Sequence, residues 1–475
     1  MKFYEADLNN DISEIVEKYI NDFFPKDLEN IKKTYWKQIY IYLTGKLFNS
    51  KSFLNLHKDT YFNNLKKKYV FEENYIYEIS KIFINEKKYN DLDISYKKKI
   101  IDLFKENLLF IFVKLAISIL QFTSIKDKKI NLLCFATQPY QKNIFSRILN
   151  GLDFEIYDIK SILFSFSFSL KKKYSFDLNS LNKNYKFINI ILLKYAFFYS
   201  ALLNLDIKKI LFIEGDNCES SLISLICNKK KIKTECFQWG VLVSNVLKSG
   251  FRFMNFDRYY TYGKYYSDYF SKYNKETKFI ETGFSLIENK LQNQRNNSIG
   301  IVLSQKNIFI NDTVKIELNK LIKLFIKNNF NIIIRTHPLG ESKSDIINEF
   351  DIKDLKNIKF HDSRKIMINE TLKAVDMIVC TRSSTIAESA SIGVIPIVLN
   401  NDEIVWEKNI ERLKNIFDQK LIVGASDQAF KLINHLKDNI KLRENISKEM
   451  IKIFYENIIF NGNKSLEALK EKIIN

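Results

Sequence analysis

The segment from Asn331 to Asn401 constrains the fold most strongly, because it holds two short apolar runs that each end in a polar cluster. The run Asn331–Ile334 precedes Arg-Thr-His-Pro, and the run Met377–Cys380 precedes Thr-Arg-Ser-Ser-Thr. Short apolar runs bounded by turn residues are typical of buried parallel strands. Ligands of open parallel sheets bind outside the carboxyl ends of the strands, so we expect both clusters to line one binding site.

Strand-like runs alternate with helical spacing through most of the remaining chain. KINLLCFAT, KKILFIEGDN and IKTECFQWG belong to one series, and IGIVLS, FNIIIRTHP and DMIVCTRSS belong to a second. The polar stretch Asn289–Ser298 separates the two series as a linker. A chain of 475 residues also exceeds what one hydrophobic core holds. The alternation therefore predicts an α/β protein with two Rossmann-like domains that face a cleft, over 126–295 and 296–475.

Helical spacing with few turn residues dominates 1–125, which we predict to be an α-helical N-terminal region. The tail from Asp427 to Asn475 has the apolar spacing of amphipathic helix. Further helices are predicted over 29–48, 72–86, 95–121, 187–205, 312–328, 342–350, 366–374 and 385–392.

The chain is basic, with 74 Lys and Arg against 55 Asp and Glu and a formal net charge of +19. Nucleic acid, an anionic membrane surface and phosphorylated substrates are all compatible with that charge. Much of the excess is Lys scattered among Asn and Ile, which indicates a compositional bias rather than a nucleic-acid site. No RNA-binding aromatic motif or zinc-finger pattern accompanies the Lys residues, so we expect no nucleic-acid partner.

Cysteine usage and hydropathy bear on the cellular compartment. The five cysteines form no C-x-x-C pair and lie mostly in or beside apolar runs, as buried reduced thiols do. The longest apolar segment, Asn107–Leu120, has 14 residues and contains Lys114, which is short of a membrane-spanning helix. We therefore expect a cytoplasmic protein, either soluble or peripheral on the inner face of the cytoplasmic membrane.

Three hydroxyl side chains follow the second apolar run of the opening segment. Ser383, Ser384 and Thr385 fall where the strand gives way to a helix, a position at which one hydroxyl caps the first turn. Three hydroxyls exceed what one cap needs, so phosphate binding at the helix N-terminus is also expected. Glu388 lies one turn into that helix. It is either a solvated carboxylate or an acceptor for two ribose hydroxyls.

The first apolar run ends in Arg335, His337 and Pro338. Arginine keeps its charge at any relevant pH and can donate two parallel N–H groups to a phosphate. Histidine titrates near neutrality and can bind phosphate or donate a proton to a leaving group. Since the chain contains only four histidines, His337 is a candidate site residue, with a structural histidine as the alternative.

Together these motifs resemble the C-terminal half of GT-B glycosyltransferases that build bacterial surface polysaccharides. His337-Pro338 and Ser383-Ser384 match, in order and context, the HP and SS motifs of bacterial GT-B sialyltransferases and polysialyltransferases. The resemblance implies that these residues bind the CMP part of a donor, and that the histidine takes part in leaving-group chemistry. The strand-S-S-T-x-x-E segment also resembles those of capsule glycosyltransferases, CDP-glycerol glycerophosphotransferases and UDP-GlcNAc 2-epimerases.

The first domain also resembles capsule-biosynthesis proteins, with Gln238-Trp239-Gly240 where Q-H-G is usual. Trp239 would stack on a sugar or base. Glu214-Gly215-Asp216 is similar to the acidic motif of the sialyltransferases that supplies the base, although the residue order differs. Glu214 and Asp216 are both candidates, and a turn whose aspartate caps the next helix is the alternative. Gln138, after the first strand, is a candidate acceptor contact.

The expected function is that of a glycosyltransferase which moves a sugar from a nucleotide donor to a capsule, lipooligosaccharide or similar glycan. The HP and SS motifs favour a CMP-linked, sialic-acid-like or Kdo-like sugar. No D-x-D motif stands at a strand end, so we expect metal-independent chemistry with no cofactor and an inverting outcome. The expected partners are a nucleotide sugar, a glycan or lipid-linked glycan acceptor, and an anionic membrane surface.

Three alternatives remain at this stage. A CDP-polyol phosphotransferase or a UDP-sugar epimerase would use the same fold. A basic, non-catalytic polysaccharide-assembly factor would bind glycan or lipid without a nucleotide.

Overall fold

Two six-stranded parallel sheets form the framework of the computed structural model. It describes residues 3–24, 26–48, 79, 110–178, 181, 186–239, 249–283, 298–303, 312–337, 342–352, 355–380, 385–399, 404–405, 421–457 and 462–474. The predicted linker over 289–298 and the predicted helix over 72–86 lie almost wholly outside these residues.

The first sheet has the order β4-β3-β6-β7-β8-β9, and every neighbouring pair is parallel. Its strands alternate with helices along the chain, as the sequence predicted. The sheet order reverses between β3 and β6, so the switch point of this domain lies between those two strands. The strands are β3 Lys128–Phe135, β4 Glu155–Tyr157, β6 Leu205–Ile213, β7 Lys233–Phe237, β8 Arg258–Thr261 and β9 Lys278–Glu281.

The second sheet has the order β12-β11-β10-β13-β14-β16, which is the order of a dinucleotide-binding Rossmann domain. Its central strands are buried along their whole length because helices cover both faces. The strands are β10 Ser298–Val302, β11 Asn331–Arg335, β12 Ile358–His361, β13 Met377–Cys380, β14 Ile395–Leu399 and β16 Ile422–Val423. Two Rossmann-like domains are therefore confirmed.

Four short strands lie outside these sheets. Thr123–Ile125 (β2) pairs antiparallel with Phe166–Phe168 (β5), beside the first sheet. Phe3–Tyr4 (β1) pairs in parallel with Ile404–Val405 (β15). The prediction of helix alone for residues 1–125 missed β1 and β2, since strands this short leave no periodicity to detect.

The helices agree closely with the predicted ranges wherever these are described. In the first half they are Glu5–Lys18, Glu29–Phe48, 110–120, Pro139–Ile148, Ile159–Ser165, Lys186–Leu202, Cys218–Lys230, Ser249–Arg252 and Lys264–Ser271, with a π-helical turn at Tyr19–Phe23 and a 3-10 turn at Lys26–Leu28. In the second half they are Asp312–Lys327, Lys343–Glu349, Ile368–Lys373, Thr385–Ser391, Ser426–Asp438, Ile440–Asn457 and Gly462–Ile474.

The N-terminal helices pack against the first domain. Trp36 stacks edge-on against Phe253, with ring centroids 4.8 Å apart. The buried Gln38 donates from Nε2 to Ser221 Oγ at 3.1 Å, on the helix that follows β6. These helical residues therefore belong to the same core as the first sheet.

The last helix returns to the first domain, although it lies within the range predicted for the second. Lys209 Nζ, on β6, donates to the carbonyl of Ile473 at 2.5 Å. Tyr260 Oη, on β8, lies 3.1 Å from the carbonyl oxygen of Lys472 and 2.7 Å from Glu235 Oε2, which is the nearer acceptor for its one proton. The basic side chain thus satisfies a carbonyl group at the end of that helix.

All five cysteines are buried free thiols. Burial raises the pKa of Cys218 to about 12 and that of Cys380 still higher, which keeps both protonated. Among the described residues, no helix combines the length and apolar character that a membrane-spanning segment needs.

Candidate functional site

The carboxyl edge of the first sheet brings two of the predicted segments together at its switch point. Thr137 follows β3, and Asn217 follows β6. Asn217 Nδ2 donates to Thr137 Oγ1 at 3.5 Å. Asn217 Oδ1 also accepts from the backbone of Ser220 at 2.9 Å, so Asn217 caps the helix Cys218–Lys230. The predicted alternative, a cap supplied by Asp216, is therefore wrong, and Asp216 stays a candidate for chemistry.

Glu214 lies in a tight turn directly after β6. Its φ angle is 59°, in the left-handed region that non-glycine residues seldom adopt. The backbone of Gly215 donates to the carbonyl of Ile213 at 2.7 Å, and Tyr259 Oη donates to the carbonyl of Glu214 at 3.2 Å. Strained backbone of this kind persists where surrounding structure holds it, and it clusters at functional sites.

Tyr262 is a residue that the sequence did not single out. It follows β8, is buried, and donates its hydroxyl to the carbonyl of Trp239. Burial raises its pKa well above the ordinary value, and the nearby charges of Glu388 and Glu214 raise that pKa further. Glu388 belongs to the second domain and Glu214 to the first, so the charges of both domains act on the pKa of Tyr262.

Gln238 and Trp239 position this tyrosine from the end of β7. The side-chain oxygen of Gln238 accepts the backbone N–H of Tyr262 at 3.2 Å, and Trp239 supplies the carbonyl for its hydroxyl. Gln238 is buried, and Trp239 is half-buried against the core. In the structure, both residues form hydrogen bonds to Tyr262 of the same chain. Contact of either residue with a sugar remains a prediction.

Arg335 ends β11 and is buried. Its Nη1 donates to the carbonyl of Ile366 and to Thr371 Oγ1, both at 2.9 Å. Burial lowers the pKa of Arg335 to about 10, and the negative charge of Glu388 opposes that shift. The guanidinium therefore stays charged at neutral pH and ties β11 to the segment before β13. Its contact with a phosphate stays a prediction.

The other predicted residues of the second domain are described only in part. Thr385 and Glu388 are buried in the first turn of the helix Thr385–Ser391, and His337 is half-buried two residues beyond β11. Pro338, Ser383 and Ser384 lie outside the described residues.

The charge of Glu388 acts on groups in both domains. Glu388 is close enough to Arg335 and Tyr262 to shift both of their pKa values, and Glu214 acts on Tyr262 from the first domain. Gln138, at the N-cap of Pro139–Ile148, has an exposed side chain at the same edge of the first sheet. In the described part of the chain, no three His, Cys, Asp or Glu side chains are grouped as a metal site requires.

Comparisons with known proteins give fold likenesses only. No protein-family model matches the chain, and no curated protein matches its sequence. UDP-GlcNAc 2-epimerase from Neisseria meningitidis, bound to UDP-GlcNAc, has a TM-score of 0.47 and 14% identity over 73% of this chain and 100% of its own. MnaA from S. aureus, in a co-structure with UDP, has a TM-score of 0.47 and 13% identity over 73% of this chain and 95% of its own.

MurG from Acinetobacter baumannii is a further similar structure, with a TM-score of 0.41 and 11% identity over 73% of this chain and 100% of its own. TM-scores below 0.5 at such identities do not extend any of these activities to this chain.

Proposed function

We propose that this protein is a glycosyltransferase that uses a nucleotide-sugar donor and a bacterial surface glycan as acceptor. The observation that carries the proposal is that an acidic side chain follows a strand end in each Rossmann-like domain, Glu214 after β6 in the first and Glu388 in the helix after β13 in the second. Acidic groups from both facing edges of a two-domain cleft can act on two substrates at once, one held by each domain.

The second domain holds the donor in this proposal. Ser383, Ser384 and Thr385 follow β13 and His337 follows β11, the two strands on either side of β10, and together they bind the phosphate, while Glu388 accepts ribose hydroxyls. Arg335 stabilises the phosphate with its buried positive charge. Its pKa of about 10 keeps the guanidinium protonated at neutral pH.

The first domain supplies the base. Glu214 or Asp216 takes the proton of the acceptor hydroxyl, whose oxygen then forms a bond to the anomeric carbon of the donor. The bond from that carbon to the phosphate oxygen breaks with inversion, and the nucleotide leaves with the electron pair. His337 can supply a proton to the leaving phosphate. Gln138 lies where an acceptor would reach the switch point.

The proposed donor is CMP-linked, because the HP and SS pair occurs in this order in the sequence. Thermal unfolding with CMP, CDP, UDP, GDP or ADP tests this choice. A nucleotide at ~100 times its Kd adds roughly 2.7 kcal/mol to the free energy of unfolding. We expect a shift with CMP, its loss in His337→Ala, and its retention in the control His435→Ala, which changes an exposed histidine of the helix Ser426–Asp438.

The same assay separates the alternatives. A shift with UDP alone, followed by isomerisation of a UDP-sugar without an acceptor, would establish an epimerase. Turnover of CDP-glycerol would establish a phosphotransferase. No shift with any nucleotide, together with binding of anionic glycan, would overturn the proposal in favour of an assembly factor.

A further inference from the structure

The first domain exposes large apolar side chains next to the antiparallel pair of β2 and β5. Phe164 is 90% exposed and Leu170 is 93% exposed, and Phe168 between them is 65% exposed. Only Ile162 of the helix Ile159–Ser165 is buried. The two most exposed side chains therefore do not contribute to the core, and several exposed apolar residues close together are typical of an interaction site.

A second apolar face continues this surface. The helix over 110–120 buries Val113 and Ile117 and exposes the opposite side, formed by Ile111, Phe112, Leu115 and Ile119. This helix runs into β2, where the backbone of Ser169 donates to the carbonyl of Phe122 at 2.8 Å. The ring centroids of Phe122 and Phe168 are 6.2 Å apart, so the end of this helix lies beside β5.

Basic side chains border the same surface. The segment 159–173 contains four lysines and no acidic residue, and the helix over 110–120 contains Lys114 and no acidic residue. Lys171, Lys172 and Lys173 follow Leu170 directly and are all exposed. The backbone of Lys173 donates to the carbonyl of Gln121 at 2.7 Å, which holds this run of lysines against the end of the helix.

We propose that this surface, which we call the Phe164–Lys173 patch, docks the protein on an anionic lipid bilayer. Exposed apolar side chains enter the boundary between headgroups and acyl chains, while lysines beside them are attracted to the anionic headgroups. A protein partner without negative charge would leave the lysines unmatched. The combination of apolar side chains with lysines and no acid therefore favours a lipid surface.

The position of the patch suits the proposed reaction. The helix Ile159–Ser165 begins at Asp158, directly after β4, on the carboxyl edge of the first sheet. Lys142, in the helix that follows Gln138, pairs with Asp158 at 2.5 Å. Docking through the patch would hold the acceptor side of the cleft near the membrane, where a lipid-linked glycan is found. The docking itself does not depend on the proposed transfer.

Vesicle sedimentation without nucleotide or glycan tests the patch apart from the activity. We expect the protein to bind vesicles that contain phosphatidylglycerol, more weakly at high salt, and not vesicles of phosphatidylcholine alone. Reversing Lys171, Lys172 and Lys173 to Glu should weaken binding by at least about 100-fold, because losing about 1 kcal/mol per lysine gives that factor and the new carboxylates add repulsion. The matched control reverses the exposed Lys431, Lys441 and Lys448 of the second domain and should change binding far less.

The double variant Phe164→Ser, Leu170→Ser tests the apolar side chains of the Phe164–Lys173 patch. It should weaken vesicle binding at least about tenfold. Its control, Ile316→Ser with Leu355→Ser, changes two exposed apolar residues of the second domain and should have no such effect. Equal losses in patch and control variants, or no binding to anionic vesicles, would overturn the proposal. A dimer in solution that Phe164→Ser dissociates would assign the patch to a second copy instead. The nucleotide shift is measured separately, so either proposal can fail alone.

Discussion

Gly215 lies at a position where a side chain would strike two neighbours. Its φ angle is 69°, and a Cβ atom there would come within 2.5 Å of the ring of Phe256 and 2.9 Å of Cys236 Sγ. We expect Gly215→Ala to lower the free energy of unfolding by about 2–4 kcal/mol, from left-handed strain together with overpacking. Urea unfolding measures the change.

The control for Gly215 is Gly45→Ala in the helix Glu29–Phe48, where nothing lies within 4 Å of the added Cβ. Alanine should stabilise the chain there by about 0.5–1 kcal/mol, because it costs less backbone entropy in a helix. A similar loss in both variants would contradict the steric account.

Glu214 is the better candidate of the two acidic residues for the base, because it holds the left-handed backbone conformation directly after β6 and such strain clusters at functional sites. Glu214→Gln should lower kcat by about 100-fold or more, as loss of a general base does, while CMP binding remains. Initial rates and the thermal shift measure these two effects. Asp216→Asn is the matched comparison, and a larger loss there would move the role to Asp216.

At the scale of elements, one carboxylate joins two helices of the second domain. Glu317 Oε2 accepts from the backbone N–H of Ser426 at 2.8 Å and from its hydroxyl at 2.7 Å. Ser426 begins the helix Ser426–Asp438, whose N-cap Ala425 has no capping side chain. Glu317, which lies on another helix, therefore acts as the N-cap of the helix Ser426–Asp438.

Replacing Glu317 tests this link through its pH dependence. Hydrogen bonds from Lys320 and Ser426 lower the pKa of Glu317 from 4.5 to about 2. Its stabilisation is present above about pH 4.5 and is lost as the pH falls through about 2. Glu317→Gln should cost about 1.5–3 kcal/mol near neutral pH and less at about pH 3, by urea unfolding.

The control for Glu317→Gln is Glu29→Gln. Glu29 pairs with Lys32 at 3.3 Å on the surface, and the Glu29 side chain is 44% exposed. Exposed pairs contribute little, so a change of at most about 0.5 kcal/mol is expected. A pH-independent cost at Glu317 would contradict the role of its charge.

The sequence predicted elements better than it predicted contacts between them. β11 and β13 were predicted to within one residue, because their apolar runs end sharply at polar clusters. Tyr262 was missed, since its role comes from its hydrogen bond to Trp239 and from the charge of Glu388, which is far away in the sequence. The predicted Asp216 cap failed for a similar reason. Asn217 is an equally good capping residue, and only the register of the turn decides between them.

At the scale of the whole molecule, the last helix joins the end of the described chain to the first domain. Leu469 and Ile473 are each 2% exposed. Leu469→Ala should cost about 2–5 kcal/mol. Amide hydrogen exchange should speed up in β6 and β8, which contact this helix, before it does so in the second sheet. Ile474→Ala, 62% exposed on the same helix, is the control. Equal exchange in the two variants would contradict the tether.

The pairing of β1 with β15 has a consequence for protein synthesis. Phe3 pairs with Ile404 and Tyr4 with Val405, so the two partners leave the ribosome roughly 400 residues apart. At about 5–20 residues per second, the first strand waits on the order of 20–80 s for its partner. Both sheets are largely translated during that interval. The pair can therefore form only after most of the molecule exists, and it acts as a late closing step in the biogenesis of the protein.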